Sequence, residues 1–273
     1  MSLTAGDEEE IPWTNSRSST KSAGKNWRAM ALSMPAPGID LDAATARKRI
    51  DPENLLGDVA HKDVLLLAGS GGQQSAAFSL LGSRVTVFDL SETQLRSDEE
   101  TARLYGFGIR TVQGDMRDLS QLKEDSYDIV WHAHSLSFVP SATEVFAQVR
   151  RVIRNWGAYR IHCTNPFMHG VCEAWNGTGY TVSLPYLDAE YVDEDPRWKF
   201  TGRDGETALV VGPREFRHTF SNVINGLIQN GFNILCFSEE VGDDADAEPG
   251  SWEHFTRIVP PWITFVTRYD PGI

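Results

Sequence analysis

The sequence predicts an α/β fold in which a doubly wound, largely parallel sheet is covered by helices on both faces. Short, nearly continuous apolar runs alternate with helical patterns from residue 63 onward, as expected for strands buried on both sides. Two later apolar runs follow each other without a predicted helix between them and are expected to pair antiparallel at a sheet edge. The predicted strands are 64–68, 85–88, 109–112, 127–131, 159–163, 232–237 and 262–267.

The predicted helices follow from apolar periodicity and from their end signals. A short helix is predicted from Asp42, its N-cap, with Pro52 limiting it. Glycines end three of the longer helices, because glycine adopts the left-handed conformation that closes a helix. The predicted helices are 42–56, 72–82 (ended by Gly82), 91–104 (capped by Ser91, ended by Gly106), 142–154 (ended by 155–157) and 216–230 (ended by Gly231).

Composition and charge narrow the class of protein. The 273 residues carry 25 basic and 38 acidic side chains, a net charge of −13, which disfavours nucleic acid and anionic lipid as partners. No apolar run is long enough to span a membrane, and no CxxC spacing suggests a disulfide framework or metal site. We therefore expect a cytoplasmic protein. Residues 239–253 hold seven acidic and no basic side chains, a weak indication of the sign of the ligand's charge.

The chain is expected to form one domain over 27–273 after a flexible tail over 1–26, which is polar and lacks periodicity. Residues 165–215 interrupt the regular alternation after the fifth strand. They are rich in aromatic and acidic side chains, which would suit a small cationic or aromatic ligand. Long segments over a sheet crevice often act as lids or binding elements, although these aromatic residues could instead pack the segment onto the sheet.

A cofactor site is predicted at the ends of three strands. The turn GSGG follows the first strand, and glycines there allow a ligand to approach the backbone. Asp89 ends the second strand and could accept hydrogen bonds from both hydroxyls of a ribose. Asp115 follows the third strand and could accept from an adenine amine, with Met116 beside the ring. A dinucleotide site is less favoured, because Gln73 and Gln74 stand where its fingerprint needs glycine and no basic residue lies in the turn.

At these positions the chain resembles the class I S-adenosylmethionine-dependent methyltransferases. LAGSGGQQ, VTVFDLS and QGDMRDLS are similar to the LAxGGGQQ, VTVFDxS and QGDMRDLS motifs of a bacterial branch of that family. The resemblance implies a Rossmann-like seven-stranded sheet in the order 3-2-1-4-5-7-6, with strand 7 antiparallel. The chain departs from the general family pattern at Leu66, which replaces the usual acid.

The resemblance also implies a set of residues that bind S-adenosylmethionine. Some approach the methionine moiety, others hold the ribose and adenine or frame the base, and His132 lies beside the cofactor. These residues are Ala68, Gly69, Ser70 and Gly72; Asp89 and Leu90; Gly114, Asp115 and Met116; and His132.

Histidines are the candidate proton acceptors. His132 and His134 are predicted at the end of the fourth strand, facing the crevice, where a neutral imidazole could take a proton from the methyl acceptor. Alternatively, His132 bonds the backbone or the cofactor and His134 is a loop residue. His162 is expected to pack within the fifth strand. His218 could reach the acceptor or cap a helix.

The predicted function is methyl transfer from S-adenosylmethionine to a small-molecule acceptor, by a monomer or weak homodimer. In-line transfer from a sulfonium needs mainly alignment of the two reactants, so no catalytic motif is obligatory. Two other classes stay open at this point: a Rossmann-like oxidoreductase that uses a nucleotide cofactor, and a protein that binds S-adenosylmethionine without turnover.

Overall fold

The computed structural model describes residues 41–69, 71–191, 197–201, 207–211 and 214–272, with side chains described outside 191–213. The tail predicted over 1–26 lies outside the described residues, as does Ser70 of the glycine turn. Within the described ranges, no helix combines the length and apolar character needed to cross a bilayer.

A seven-stranded sheet forms the centre of the fold, in the order β3-β2-β1-β4-β5-β7-β6. Strands β1 to β5 run parallel, and β7 lies antiparallel between β5 and β6. The predicted fold class and strand order are therefore confirmed. The strands are β1 (Asp63–Leu67), β2 (Arg84–Asp89), β3 (Ile109–Gln113), β4 (Tyr127–His132), β5 (Ile153–Thr164), β6 (Phe232–Glu240) and β7 (Trp262–Tyr269).

Helices cover the sheet because alternate strand residues form two separate apolar clusters. Val130 and Tyr159 belong to the cluster under α4 and α5, whereas Ile129 and Ala158 belong to the cluster under α1 to α3. These helices are α1 (Ala43–Ile50), α2 (Gln73–Leu80), α3 (Glu92–Tyr105), α4 (Ala142–Val152) and α5 (Phe220–Gln229), and α6 (Trp252–Ile258) precedes β7.

The start of α1 agrees with the prediction, since the Asp42 carboxylate accepts from the Thr45 backbone N–H at 2.7 Å. The predicted extension to residue 56 is wrong. The chain turns at Asp51, whose buried carboxylate accepts from the backbone N–H groups of Leu55 and Leu56. A side chain that binds its own following backbone in this way competes with helix continuation.

Three other predicted boundaries are corrected. Residues 155–157 do not follow the helix but form a bulge within β5, because Tyr127 pairs with Ile153 whereas Ile129 pairs with Ala158. The helix predicted from residue 216 begins at Phe220, since 215–217 pair with 189–191 as short antiparallel strands. The segment between β6 and β7 is not only a loop, because α6 lies within it.

Candidate active site

The sheet register places the predicted cofactor residues at one edge. Leu67, at the end of β1, pairs with Phe88 on one side and with His132 on the other. Asp89 pairs with Gln113 at the end of β3. The turns that follow β1, β2, β3 and β4 therefore meet at the carboxyl ends of the strands, where doubly wound sheets bind ligands.

The glycine turn after β1 has an unusual backbone. Ala68 adopts φ 52°, and its N–H donates to the carbonyl of Phe88 at 2.9 Å. Gly72 has φ 111° and forms the N-cap of α2. A Cβ at Gly72 would lie 2.4 Å from the Thr101 hydroxyl of α3. Glycine is thus required at 72 both by conformation and by the close approach of α3. Gly69 is buried against Val87.

Asp89 is a buried carboxylate at the end of β2. It is 8% exposed, and its Oδ1 accepts from the Ser91 backbone N–H at 2.7 Å. Burial raises its pKa to about 6, against the lowering effect of that hydrogen bond. The neighbouring Leu90 is half-buried, and its carbonyl accepts from the Gln113 side chain. A carboxylate held in this way is suited to a ligand that supplies hydrogen-bond donors.

The residues after β3 have partners within the protein. A Cβ at Gly114 would lie 2.3 Å from the buried ring of Phe88, so packing alone requires glycine there. Asp115 forms a two-point ion pair with Arg117, with N–O distances of 3.0 and 2.8 Å. Met116 is half-buried against the core. An adenine amine would therefore share the Asp115 carboxylate with Arg117, a residue that the sequence analysis did not single out.

His132 lies in the interior and does not face an open crevice, contrary to the expectation. Its ring is fully buried, Nδ1 lies 2.9 Å from the Tyr159 hydroxyl and Nε2 lies 2.9 Å from the Ser135 hydroxyl. Burial, followed by repulsion from His134, lowers its pKa to about 3. Because both ring nitrogens have partners, these contacts favour a role in holding the end of β4. A catalytic role for His132 stays a prediction.

His134 lies just beyond the end of β4 in a group of aromatic rings. Its ring centroid is 4.0 Å from that of Trp262 in an edge-on arrangement and 5.6 Å from that of His162. The Nδ1 atom is buried and has no hydrogen-bond partner among the described residues. Burial and then repulsion from His162 and His169 lower the pKa of His134 to about 4, so the ring is neutral at physiological pH.

The other two candidate histidines, His162 and His218, have hydrogen-bond partners. His162 points to Thr264, with Nδ1 and the hydroxyl oxygen 3.2 Å apart, in agreement with the expected packing within the sheet. Burial lowers its pKa to about 4. His218 is buried, and its Nε2 donates to the carbonyl of Leu136 at 3.1 Å. This hydrogen bond therefore connects the segment just before α5 to the turn after β4.

The described part of 165–215 is bound to two helices through its aromatic residues. Trp175 and Tyr180 pack against α6, and the Tyr180 hydroxyl lies 2.8 Å from Nδ1 of His254. Tyr186 accepts from the backbone N–H of Phe220 at the start of α5. These aromatic residues pack the segment onto the rest of the protein. The side chains of Tyr191 and Trp198 lie outside the described residues.

Replacing Asp188 with alanine is expected to loosen this attachment. The Asp188 carboxylate accepts from the backbone N–H of Thr219, the N-cap of α5, at 2.6 Å and also lies 3.2 Å from its hydroxyl. Loss of a comparable cap costs about 0.5–2 kcal/mol, so hydrogen exchange of residues 184–190 is expected to accelerate roughly 2- to 30-fold. Asp188→Asn keeps an acceptor oxygen and serves as the control. Equal exchange in all three proteins would contradict this role.

Two further residues, Ser75 and Asp98, lie beneath the glycine turn and were not predicted from the sequence. The Ser75 hydroxyl and the Asp98 Oδ1 atom are 2.5 Å apart. Asp98 lies in the acidic stretch SDEE, which is typical of a surface, yet it is fully buried. The sequence does contain a signal for the burial of Asp98. This residue lies between Leu95 and Thr101 at helical spacing, and both of those residues are buried.

The described residues fit S-adenosylmethionine better than an anionic cofactor. Two buried carboxyl groups, Asp89 and Asp98, flank the glycine turn, and no basic residue lies between 68 and 75. The Asp89 carboxylate would attract a cationic ligand and repel the pyrophosphate of a dinucleotide, and a cationic ligand would also favour the ionised form of Asp98.

Comparisons with known proteins agree with this assignment. Residues 66–161 match the family described as a methyltransferase domain. The chain is 32% identical over 182 residues to the uncharacterized methyltransferase YbaJ of Bacillus subtilis, an alignment that covers 66% of this chain and 69% of YbaJ.

Solved structures share the fold. An S-adenosylmethionine-dependent methyltransferase from Mesorhizobium loti superposes with a TM-score of 0.61 at 20% identity, covering 83% of this chain and all of that one. Geranyl diphosphate C-methyltransferase from Streptomyces coelicolor was solved with Mg²⁺, geranyl diphosphate and S-adenosylhomocysteine. It superposes with a TM-score of 0.53 at 12% identity, covering 83% of this chain and 78% of that one.

The fold and the strand-end site define a Rossmann-like, S-adenosylmethionine-dependent enzyme. The chain belongs to the class I S-adenosylmethionine-dependent methyltransferases, and S-adenosylmethionine is its cofactor.

Proposed function

We propose that this methyltransferase acts on a small-molecule acceptor. The observation that carries the proposal is a pair of small neighbouring pockets at the carboxyl ends of β4 and β5. One pocket is lined by Leu136, Thr164 and His169. The other is lined by the segment around Tyr186, which is attached to α5. Such a site suits a compact molecule better than a protein surface or a nucleic acid. Geranyl diphosphate, a ligand of one structural neighbour, is likewise a small molecule.

Each part of the site has a proposed role. S-adenosylmethionine supplies an activated methyl group on a good leaving group. We assign Asp89 and Leu90 to the ribose and adenine, and Ala68, Gly69, Ser70 and Gly72 to the methionine moiety. Asp115, whose carboxylate also binds Arg117, is assigned to the adenine amine, and Met116 is assigned to the side of the adenine ring. His134 takes the proton that the acceptor loses, and His132 holds the end of β4 in position through Tyr159 and Ser135.

The described residues of 165–215 are proposed to enclose the acceptor. Tyr186 and Asp188 attach this segment to the beginning of α5, and Trp175 attaches it to α6. Enclosure excludes water and keeps the acceptor aligned with the methyl group, which matters because alignment can lower the barrier by about 7–11 kcal/mol.

Two experiments test the proposal. Calorimetry with S-adenosylmethionine, S-adenosylhomocysteine, NADH and NADPH tests the cofactor, and binding of a nicotinamide nucleotide alone would overturn the assignment. The acceptor is then sought by measuring S-adenosylhomocysteine formed with a panel of phenols, amines, thiols and prenyl diphosphates. Turnover only on protein or nucleic-acid substrates would contradict the small-molecule proposal.

Replacing Asp89 with alanine is expected to weaken S-adenosylmethionine binding by about 1.5–3 kcal/mol, or roughly 10- to 150-fold, because hydrogen bonds to a charged group are lost. Burial raises the pKa of Asp89 to about 6, so wild-type affinity should increase as pH rises through 6 and the carboxyl group ionises.

The part of the pH dependence that comes from Asp89 should be absent from Asp89→Ala, so the affinity of this variant should change less with pH than that of the wild type. Titration calorimetry at pH 5.5 and 7.5 measures both effects. Asp58→Ala is the matched control, since Asp58 is an exposed carboxylate at the opposite edge of the sheet. Equal affinity in wild type and Asp89→Ala would mean that the ribose is bound elsewhere.

A further inference from the structure

Asp98 is a buried acid beneath the glycine turn. It lies on α3 with 0% exposure. Its Oδ2 atom is buried, and within the described part of the chain no group hydrogen-bonds to it. The same atom would lie 3.9 Å from a Cβ on Gly69, so it points to the underside of the turn. Buried polar atoms without partners are rare in folded proteins and call for an explanation.

The hydrogen bonds around Asp98 indicate that it carries a proton. The Ser75 hydroxyl lies 2.5 Å from Asp98 Oδ1 and 3.2 Å from the carbonyl of Gly72. A hydroxyl has one hydrogen and cannot donate to both oxygens. Both contacts are satisfied when Asp98 donates to Ser75 and Ser75 donates to Gly72. A protonated Asp98 therefore links α3 through α2 to the backbone of the glycine turn.

The charges around Asp98 also favour its protonated form. Within the described residues, the groups that act on its charge are Asp89, at the end of β2, and Glu99, on its own helix, and both are acidic. The packed helix α2 contributes the Ser75 hydroxyl and no charged side chain. Burial first, and then repulsion from these two acids, raises the pKa of Asp98 to about 8 despite its bond to Ser75.

We propose that Asp98 is a positioning residue of the cofactor site that holds a proton in the free enzyme and releases it when the positively charged S-adenosylmethionine binds. This inference rests on the S-adenosylmethionine activity stated above. A cation above the turn favours the carboxylate, and the proton leaves to the solvent. Asp98 thereby distinguishes the cationic cofactor from its product, since S-adenosylhomocysteine has lost the positive charge on sulfur.

The sign of the pH effect follows from this proton release. Below pH 8 the free enzyme must lose the Asp98 proton to bind S-adenosylmethionine, so affinity is expected to increase with pH by up to about tenfold per unit and to level off above 8. Binding of S-adenosylhomocysteine should show a smaller change. The sulfonium charge lowers the pKa of the amino group in S-adenosylmethionine but not in S-adenosylhomocysteine, so the contribution of Asp98 is read from the comparison of wild type with Asp98→Asn on the same ligand.

Titration calorimetry at pH 7 in phosphate and in Tris, two buffers with different ionisation enthalpies, measures the protons released. The proteins are wild type, Asp98→Asn and Glu100→Gln. Asparagine can donate to Ser75 as the protonated acid does, so the fold should be kept, and it cannot ionise. Glu100→Gln removes an exposed acid from the same helix and is the matched control.

Wild type and Glu100→Gln are expected to release nearly one proton more than Asp98→Asn on binding S-adenosylmethionine, and less with S-adenosylhomocysteine. Infrared difference spectra of the wild type should show loss of a protonated carboxyl band on S-adenosylmethionine binding, a readout that needs no variant. Equal proton release in wild type and Asp98→Asn, or an unchanged band, would overturn the proposal. Failure of every protein to bind S-adenosylmethionine would instead overturn the assignment of the cofactor.

Discussion

Replacing His134 with glutamine is expected to lower kcat by about 10²- to 10⁴-fold while leaving the affinity for S-adenosylmethionine unchanged. This is the usual contribution of a general base, and glutamine offers a hydrogen-bond acceptor but cannot take a proton. The rate of S-adenosylhomocysteine formation is measured at saturating concentrations of both substrates. Because burial and the neighbouring histidines lower the pKa of His134 to about 4, its contribution should be constant from pH 6 to 8.

His61→Gln is the matched control. His61 is an exposed histidine just before β1, at the opposite edge of the sheet. Its replacement should leave the rate of methyl transfer nearly unchanged. A normal rate in His134→Gln would show that the acceptor reaches the site already deprotonated or gives its proton to another group. A loss of S-adenosylmethionine affinity would place His134 on the cofactor instead.

Replacing Gly72 with alanine is expected to lower the free energy of unfolding by about 2–5 kcal/mol and to weaken cofactor binding. An L-residue at φ 111° is strained by about 1–2 kcal/mol. The added methyl group would also lie 2.4 Å from the Thr101 hydroxyl oxygen and 2.9 Å from its Cβ, and such overpacking costs about 1–3 kcal/mol. Urea denaturation measures the stability, and calorimetry measures S-adenosylmethionine binding.

Gly106→Ala separates the two causes. Gly106 closes α3 with φ 73°, and a Cβ there would have no atom within 4 Å. This variant should therefore show the conformational strain without the steric clash and keep normal cofactor affinity. Equal destabilisation of the two variants would mean that the approach of α3 to the turn contributes nothing.

The sequence predicts the sheet and the edge at which the cofactor site lies. Apolar runs buried on both sides identify parallel strands, and the glycine turn, Asp89 and Asp115 mark their ends. The short helix α6 could not be predicted in the same way. Its apolar periodicity extends over a single turn, from Trp252 to Phe255, and it follows a strongly acidic loop. The bulge in β5 depends on pairing with β4, which is not visible in local periodicity.

The difference between His132 and His134 also lies beyond the sequence. Two residues apart, they would share a face of a strand if the strand continued. However, β4 ends at His132, and the chain turns so that His132 enters the core beside Tyr159 whereas His134 reaches Trp262. The contacts that separate the two roles come from β5 and β7, which are distant in the chain.

The antiparallel direction of β7 has a consequence for the order in which the protein is synthesised. It brings Trp262, the first residue of that strand, to the same edge as the end of β5, where it pairs with Thr164. The turns around Asp89 and Asp115 leave the ribosome long before Trp262. Since domains are made from the N-terminal end, the growing chain contains every assigned cofactor residue before it has its partner for His134. The acceptor side of the site is thus completed by the last part of the chain to be made.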